Sequence, residues 1–542
     1  MNARPDGPGT PREPDAGRPG TGRPAAAVAA EAAVAAALEA GSEELDGSEW
    51  RPPAGWRLAA LAAGPLVGAA AAWVVHGHGA GGGGSNAGLL HHTLPWDGAV
   101  TLGLMAWMAV WWLGQAVPLA VTALLPLAVL PLMRICAFRD AAAPYADGII
   151  FLFAGGCVLA AGLRVHGLDR LLANLLLAWS GRSAMGAAAA LFAASTLISA
   201  FVSNTATAAM MLPLAIAVAA HVRRHAVRAP DGSPPARAGN VAPCFLLAVA
   251  YGASIGGTLT PVGSPPNAIA LRELERATGE AVGFGFWGGF SLPVVAVFAP
   301  LAWWLLARFL VPVHGVRTAI HGPAPDAGSG PSSGSGRGER AAMLLIFAFA
   351  AAGWFGMPWW RRWVPALDDS LVAVVAAIAA LALPLGRGGR ALVPWRDADL
   401  PWGVLVLFGG GLSLAQAVQE HGVGEWIGAW IGELGVHGYG VLLVAVVTTC
   451  VFLTEIASNT ALVATLAPVM VAIAERLGIP PAALLLPVAF SASWAFMLPV
   501  GTPPNALVFA TGRVGAGRMA RTGLVLNLLA ITVIVAAARL RW

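Results

Sequence analysis

Ser203-Asn204-Thr205 and Ser458-Asn459-Thr460 are two polar triplets set in stretches otherwise apolar enough for hydrocarbon. Hydrogen-bonding side chains oppose burial in a membrane unless something satisfies them. Hydroxyl and amide oxygens without formal charge suit sodium better than a multivalent metal, which favours carboxylates. The candidate cation ligands form two sets: Ser199, Ser203 and Asn204 with the Gly263 carbonyl, and Thr454, Ser458 and Asn459 with Gly501. The remaining donors, Thr205, Ser264, Thr460 and Thr502 with the Asn204 and Asn459 amides, suit a bound carboxylate or sulfate.

A single Ser-Asn-Thr in a membrane helix has a cheap local explanation, its hydroxyls bonding back to the preceding turn. Repetition argues for a site. Sliding the chain by 255 residues lays SNTATAAMMLP from Ser203 on SNTALVATLAP from Ser458. The same offset lays Phe153 on Phe408, Gly155-Gly156 on Gly410-Gly411 and His166-Gly167 on His421-Gly422. Downstream, GSPPNA from Gly263 recurs as GTPPNA from Gly501. Consecutive prolines remove donors and disfavour a continuous helix, so each of these segments is expected to break within the membrane. Broken helices in matching places of two halves mark a transporter's binding site, with freed carbonyls for a cation and half-helix N-termini for an anion.

The elements that must hold these groups follow from composition. The chain has 542 residues, 57% hydrophobic and 11% charged, against about 25% charged in soluble domains. It reads as an all-α polytopic membrane protein, which argues against a soluble enzyme. Arginine alone supplies the basic side chains, and no basic cluster suggests a nucleic-acid partner. Cys136, Cys157, Cys244 and Cys450 have no metal-type spacing and read as core residues. His76, His78, His91 and His92 lie in or beside a Gly-rich stretch that reads as a solvated external loop.

Residues 1–55 are expected to form a disordered cytoplasmic tail, and 56–76 the first transmembrane helix. Residues 95–311 form a first repeat, with its hairpin tip at 203–205 and a broken helix at 263–267. A Gly/Ser/Pro-rich cytoplasmic linker, 312–340, separates it from a second repeat at 341–542, with its tip at 458–460 and break at 501–505. The arginines near 223–237, 317–340, 387–396 and 513–521 all fall on the cytoplasmic side if the N-terminus is cytoplasmic. The hairpins then enter from opposite faces, as inverted repeats require. Glu455, where Ala200 stands in the first half, is an intramembrane acid open to either a functional or a backbone-bonding role.

The paired SNT motifs, the GSPPN and GTPPN breaks, LFGGGLSLA and WWLGQAVPLAVTALLPL resemble the divalent anion/sodium symporters, solute carrier family 13, over roughly residues 95–540. The resemblance implies about eleven transmembrane helices plus two re-entrant hairpins, usually as a homodimer. It further implies a scaffold domain and a transport domain that slides as an elevator. Family sodium ligands map onto the two sets above, and substrate contacts onto both triplets with Ser264 and Thr502. Two features depart from the family pattern: Gly114-Gln115-Ala116 stands where Thr-Glu-Ala is common, and the N-terminal tail is long.

The expected activity is sodium-driven uptake, across the plasma (inner) membrane, of a dianion such as succinate, malate or fumarate. Sulfate, citrate or another oxyanion would use the same donors. A sodium-independent exchanger is disfavoured, because exchangers of this family tend to place basic side chains at the tips and none stands there. A channel is the remaining alternative. An intramembrane enzyme would need a nucleophile with its base or a metal cluster, and the apolar segments offer neither.

Overall fold

The computed structural model describes residues 54–80, 94–178, 181, 183–227, 237–280, 282–317, 336–424, 426–427 and 438–542. The tail to residue 53, His91 and His92, the arginine-rich loop at 228–236 and the linker at 318–335 lie outside the described residues, as does the side chain of His78.

Among the described residues the protein is helical, with one isolated bridge between Ser183 and Arg317. Nine helical stretches there are long and apolar enough to cross a membrane, and five shorter apolar ones accompany them. In chain order the helices are α1 (Ala54–Ala80), α2 (Trp96–Gly114), α3 (Leu125–Leu132), α4 (Gly148–Val165), α5 (Leu168–Ala178), α6 (Ala184–Ser199) and α7 (Asn204–Arg224). They continue as α8 (Val241–Gly256), α9 (Pro265–Thr278), α10 (Phe284–Leu305), α11 (Arg337–Phe355), α12 (Asp369–Ala382) and α13 (Trp402–Glu420). The last are α14 (Tyr439–Leu453), α15 (Asn459–Leu477), α16 (Ala482–Ser493), α17 (Pro503–Ala510) and α18 (Ala516–Arg541).

Local sequence explains the ends of several elements. Gln115, in the departing Gly-Gln-Ala segment, caps α2 in the left-handed region at φ 48°, a conformation that ends a helix. The two Pro-Pro pairs lie at the starts of α9 and α17 rather than inside the breaks. Proline is favoured at the first helical position, where its missing N–H costs nothing. The interruptions themselves precede them, between Gly256 and Pro265 and between Ser493 and Pro503.

Small residues let helices touch backbone to backbone. A Cβ added at Gly256 would lie 2.1 Å from the Thr196 carbonyl oxygen, so α6 and α8 pack at closest approach. The same device fixes α4 and α13: a Cβ at Gly155 would lie 2.8 Å from the Ala373 carbonyl oxygen in α12, and one at Gly410 would lie 2.2 Å from that of Ala123.

Contacts divide the helices into two groups. In the first, α1 packs on α2, α4 and α11 on α12, and α13 on the short helix Leu119–Thr122. In the second, α6 and α7 pack on α8, α14 and α15 on α16, and α10 and α14 on α18. Within this second group, α9 packs on α15 and α7 on α17, so each post-break helix leans on the outgoing arm of the other hairpin. The groups meet mainly through α9, which touches α4 and α13, and α15, which touches α2 and α13. An ion pair reinforces this junction: Arg272 of α9 lies 2.5 Å from Asp147, the N-cap of α4. Beside it, Arg276 donates to the Leu412 carbonyl of α13 at 2.5 Å.

Candidate functional site

Each triplet is the turn of a helical hairpin. Ser203 is the N-cap of α7 and Ser458 of α15, their hydroxyls accepting from the backbone N–H groups of Ala206 at 3.3 Å and Ala461 at 3.4 Å. Serine is a preferred residue there because its oxygen satisfies a first-turn donor that has no partner in the helix. Asn204-Thr205 and Asn459-Thr460 then form the first turns, half-buried. Ser264 and Thr502 are the N-caps of α9 and α17. Four helix N-termini, each preceded by a hydroxyl residue, are thus placed at the tips and breaks, with the polarity that attracts an anion.

Part of the first cation set comes together, whereas Ser203 is exposed and its hydroxyl is engaged as the α7 cap. The Ser199 hydroxyl donates to Asn204 Oδ1 at 2.7 Å, and that oxygen would lie 2.1 Å from a Cβ on Gly257. Gly263 sits in a nest of carbonyls: a Cβ there would meet the oxygens of Gly257, Ala200 and Ser199 at 2.7, 2.9 and 3.0 Å. Thr260 closes the nest by donating its hydroxyl to the Ala200 carbonyl. Converging neutral oxygens of this kind suit a small hard monovalent cation.

The second set repeats the hairpin geometry and changes the rest. Thr454 donates to Asn459 Oδ1 at 2.5 Å and also lies 2.6 Å from the Ala492 carbonyl. At Gly501, however, a Cβ would meet Glu455 Oε2 at 2.7 Å and the Leu498 carbonyl at 3.3 Å. Glu455 is 3% exposed. Its carboxylate accepts from the N–H groups of Phe496, Met497 and Leu498, each at 2.8 Å, and from Asn527 Nδ2 of α18 at 2.7 Å. It therefore bonds the backbone of the second break. Both joints accept from the break but with different groups: the Ala200 backbone carbonyl accepts from the Thr260 hydroxyl, and the Glu455 carboxylate accepts from three backbone N–H groups.

The two halves also differ in cover. At the first break Val262 is 6% exposed and lies against Gly156 of α4, and Phe201 at the first tip meets Phe347 of α11 with ring centroids 4.9 Å apart. Their counterparts Val500 and Ile456 are 50% and 63% exposed.

Sequence reasoning assigned no role to Asn267 and Asn505, the last residues of the two Pro-Pro-Asn motifs. Both are fully buried. Asn267 Nδ2 donates to the carbonyls of Gly257 and Thr260 at 2.7 and 2.8 Å, and Asn505 Nδ2 to those of Ala495 and Leu498, both at 3.1 Å. In each case the acceptors stand 10 and 7 residues earlier. The recurrence of Asn in both motifs was the available signal.

Comparison with known proteins bears on the family and the fold. The sodium:sulfate symporter transmembrane region matches residues 90–542. The chain is 32% identical over 449 residues to the sodium-dependent dicarboxylate transporter SdcS of Staphylococcus saprophyticus, covering 81% of this chain and 85% of that one. It is 31% identical over 450 residues to SdcS of Staphylococcus aureus, covering 82% and 85%. The solved structure of the Alcanivorax borkumensis YdaH transporter superposes with a TM-score of 0.54 at 17% identity, over 82% of this chain and 98% of that one, which speaks to fold alone. A polytopic helical chain with paired polar hairpin tips, matched over this length, belongs to the divalent anion/sodium symporter family of membrane transporters.

Proposed function

We propose that the protein couples Na+ influx to uptake of a divalent anion, a C4 dicarboxylate such as succinate, malate or fumarate. The observation that carries this reading is the duplicated bond from Ser199 to Asn204 and from Thr454 to Asn459, which pairs a hydroxyl with an amide oxygen at the helix N-terminus of each hairpin tip. The relatives named as sodium-dependent dicarboxylate transporters support both the ion and the substrate class. Sodium binds at Ser199, Ser203, Asn204 and Gly263 and at Thr454, Ser458, Asn459 and Gly501. The anion binds between the triplets, with Ser264 and Thr502. Each cation moving down a 100 mV potential supplies about 2.3 kcal/mol.

The hairpins and broken helices form a transport domain that slides as an elevator against the group containing α2, α4, α11, α12 and α13, which acts as scaffold. The exchanged packing of α9 on α15 and of α7 on α17 supports two inverted repeats. The protein is a homodimer in the inner membrane with a cytoplasmic N-terminus. In proteoliposomes, labelled succinate should accumulate only under an inward Na+ gradient; accumulation at the same rate without sodium overturns the coupling. Because the matched family is named for sulfate, a thermal-shift panel of succinate, malate, fumarate, citrate and sulfate at fixed Na+ assigns the substrate. A cognate ligand at about 100 times its Kd contributes about 2.7 kcal/mol.

A further inference from the structure

Each break leaves backbone carbonyls outside any helix, and buried groups of this kind need partners. Turns supply one for the Thr260 and Leu498 carbonyls, which accept from the N–H groups of Gly263 at 3.3 Å and Gly501 at 3.1 Å, and further orientation must come from side chains. One side chain does this in both halves. Asn267 reaches back across the first break to the carbonyls of Gly257 and Thr260, and Asn505 reaches back across the second to those of Ala495 and Leu498. An amide suits the task because a single nitrogen carries two donors. The Oδ1 atoms of both are buried without a partner, so the nitrogen is the side the protein uses.

One anchored carbonyl in each half lies beside a candidate cation ligand. The Gly257 oxygen held by Asn267 is the nearest of the three around Gly263, and the Cα of Gly257 abuts Asn204 Oδ1. In the second half, Asn505 holds the Leu498 carbonyl that faces Gly501. We infer that Asn267 and Asn505 are positioning residues for the two sodium sites, fixing the carbonyl geometry without touching the ion. This rests on the sodium-coupled reading above.

Their loss should weaken sodium and spare the anion. Purified full-length protein is titrated with Na+ alone, choline keeping ionic strength constant, and thermal unfolding is followed for wild type, Asn267→Ser and Asn505→Ser. Serine keeps one donor and cannot hold both carbonyls. The expected result is a rise of about tenfold or more in half-saturating Na+ for each variant. The shift produced by succinate at saturating Na+ should be retained. Asn267→Asp and Asn505→Asp, whose carboxylates repel the carbonyls, should lose the sodium response. Folded serine variants with wild-type Na+ half-saturation overturn the inference, and so does failure of both to fold in any salt, which makes the amides structural pins only. A wild-type protein that sodium does not stabilise rejects the coupling itself.

Discussion

Phe153 of α4 and Phe408 of α13 meet edge to face, ring centroids 5.1 Å apart. They are also the residues that coincide when the chain is slid by 255 positions, and in the proposed pair of repeats two equivalent residues touch only near the axis relating the halves. Such a pair contributes about 0.5–1.5 kcal/mol beyond its burial. A double-mutant cycle of Phe153→Leu and Phe408→Leu, read by unfolding in detergent, should give a coupling of this size. Strict additivity would place no energetic contact there.

Asn204→Ala and Asn459→Ala each remove the acceptor bonded by Ser199 or Thr454. Hydrogen bonds involving charged groups are worth about 1.5–3 kcal/mol, or about ten- to a hundredfold in sodium affinity. Each variant should lose sodium-driven succinate uptake in proteoliposomes while eluting as wild type in size-exclusion chromatography. An active double variant would show that the tips bind neither ion.

Glycine at the first break is required by space. At Gly263 a methyl would fall within 3.0 Å of three carbonyl oxygens, closer than such atoms pack, so Gly263→Ala should abolish stabilisation by Na+. Gly411→Ala is the control, because its nearest neighbour, the Ala464 methyl, would be 3.6 Å away. Equal uptake by both variants would remove Gly263 from the site.

Glu455 and Asn527 share one bond in a network of four. Glu455→Gln places an amide donor against backbone donors and should destabilise the protein by about 3 kcal/mol, since an unpaired buried donor costs about 1–3 kcal/mol. Asn527→Ala should destabilise less, and the double variant should fall short of the sum. Additive losses in thermal unfolding would mean that the two residues act separately.

Legibility in the sequence followed repetition. Ser203-Asn204-Thr205 was recognisable as a hairpin tip because Ser458-Asn459-Thr460 repeats it, and the helical class followed from hydropathy. The Pro-Pro pairs marked the breaks to within a few residues but suggested the wrong cause, since proline opens α9 and α17 and the chain has already left the helix after Gly256 and Ser493. Asn267 and Asn505 stood within the motif, yet what they hold lies 10 and 7 residues back and depends on the path of the break. Glu455 was ambiguous because its counterpart is Ala200. Its role depends on backbone N–H groups 41 to 43 residues away, beyond any local pattern.

The unequal cover of Val262 and Val500 bears on energy rather than on binding. If the halves trade settings as the elevator moves, Val262 leaves Gly156 as Val500 reaches Gly411, and what one half loses the other regains. The two end positions are then nearly isoenergetic, and the ion gradient alone sets the direction of travel. The ion pair of Arg272 with Asp147 breaks this balance, because Ala510 stands in the corresponding place on α17. In the proposed elevator it weights the protein toward the position in which α9 meets α4, a bias that Asp147→Asn should relax while leaving the α4 cap in place.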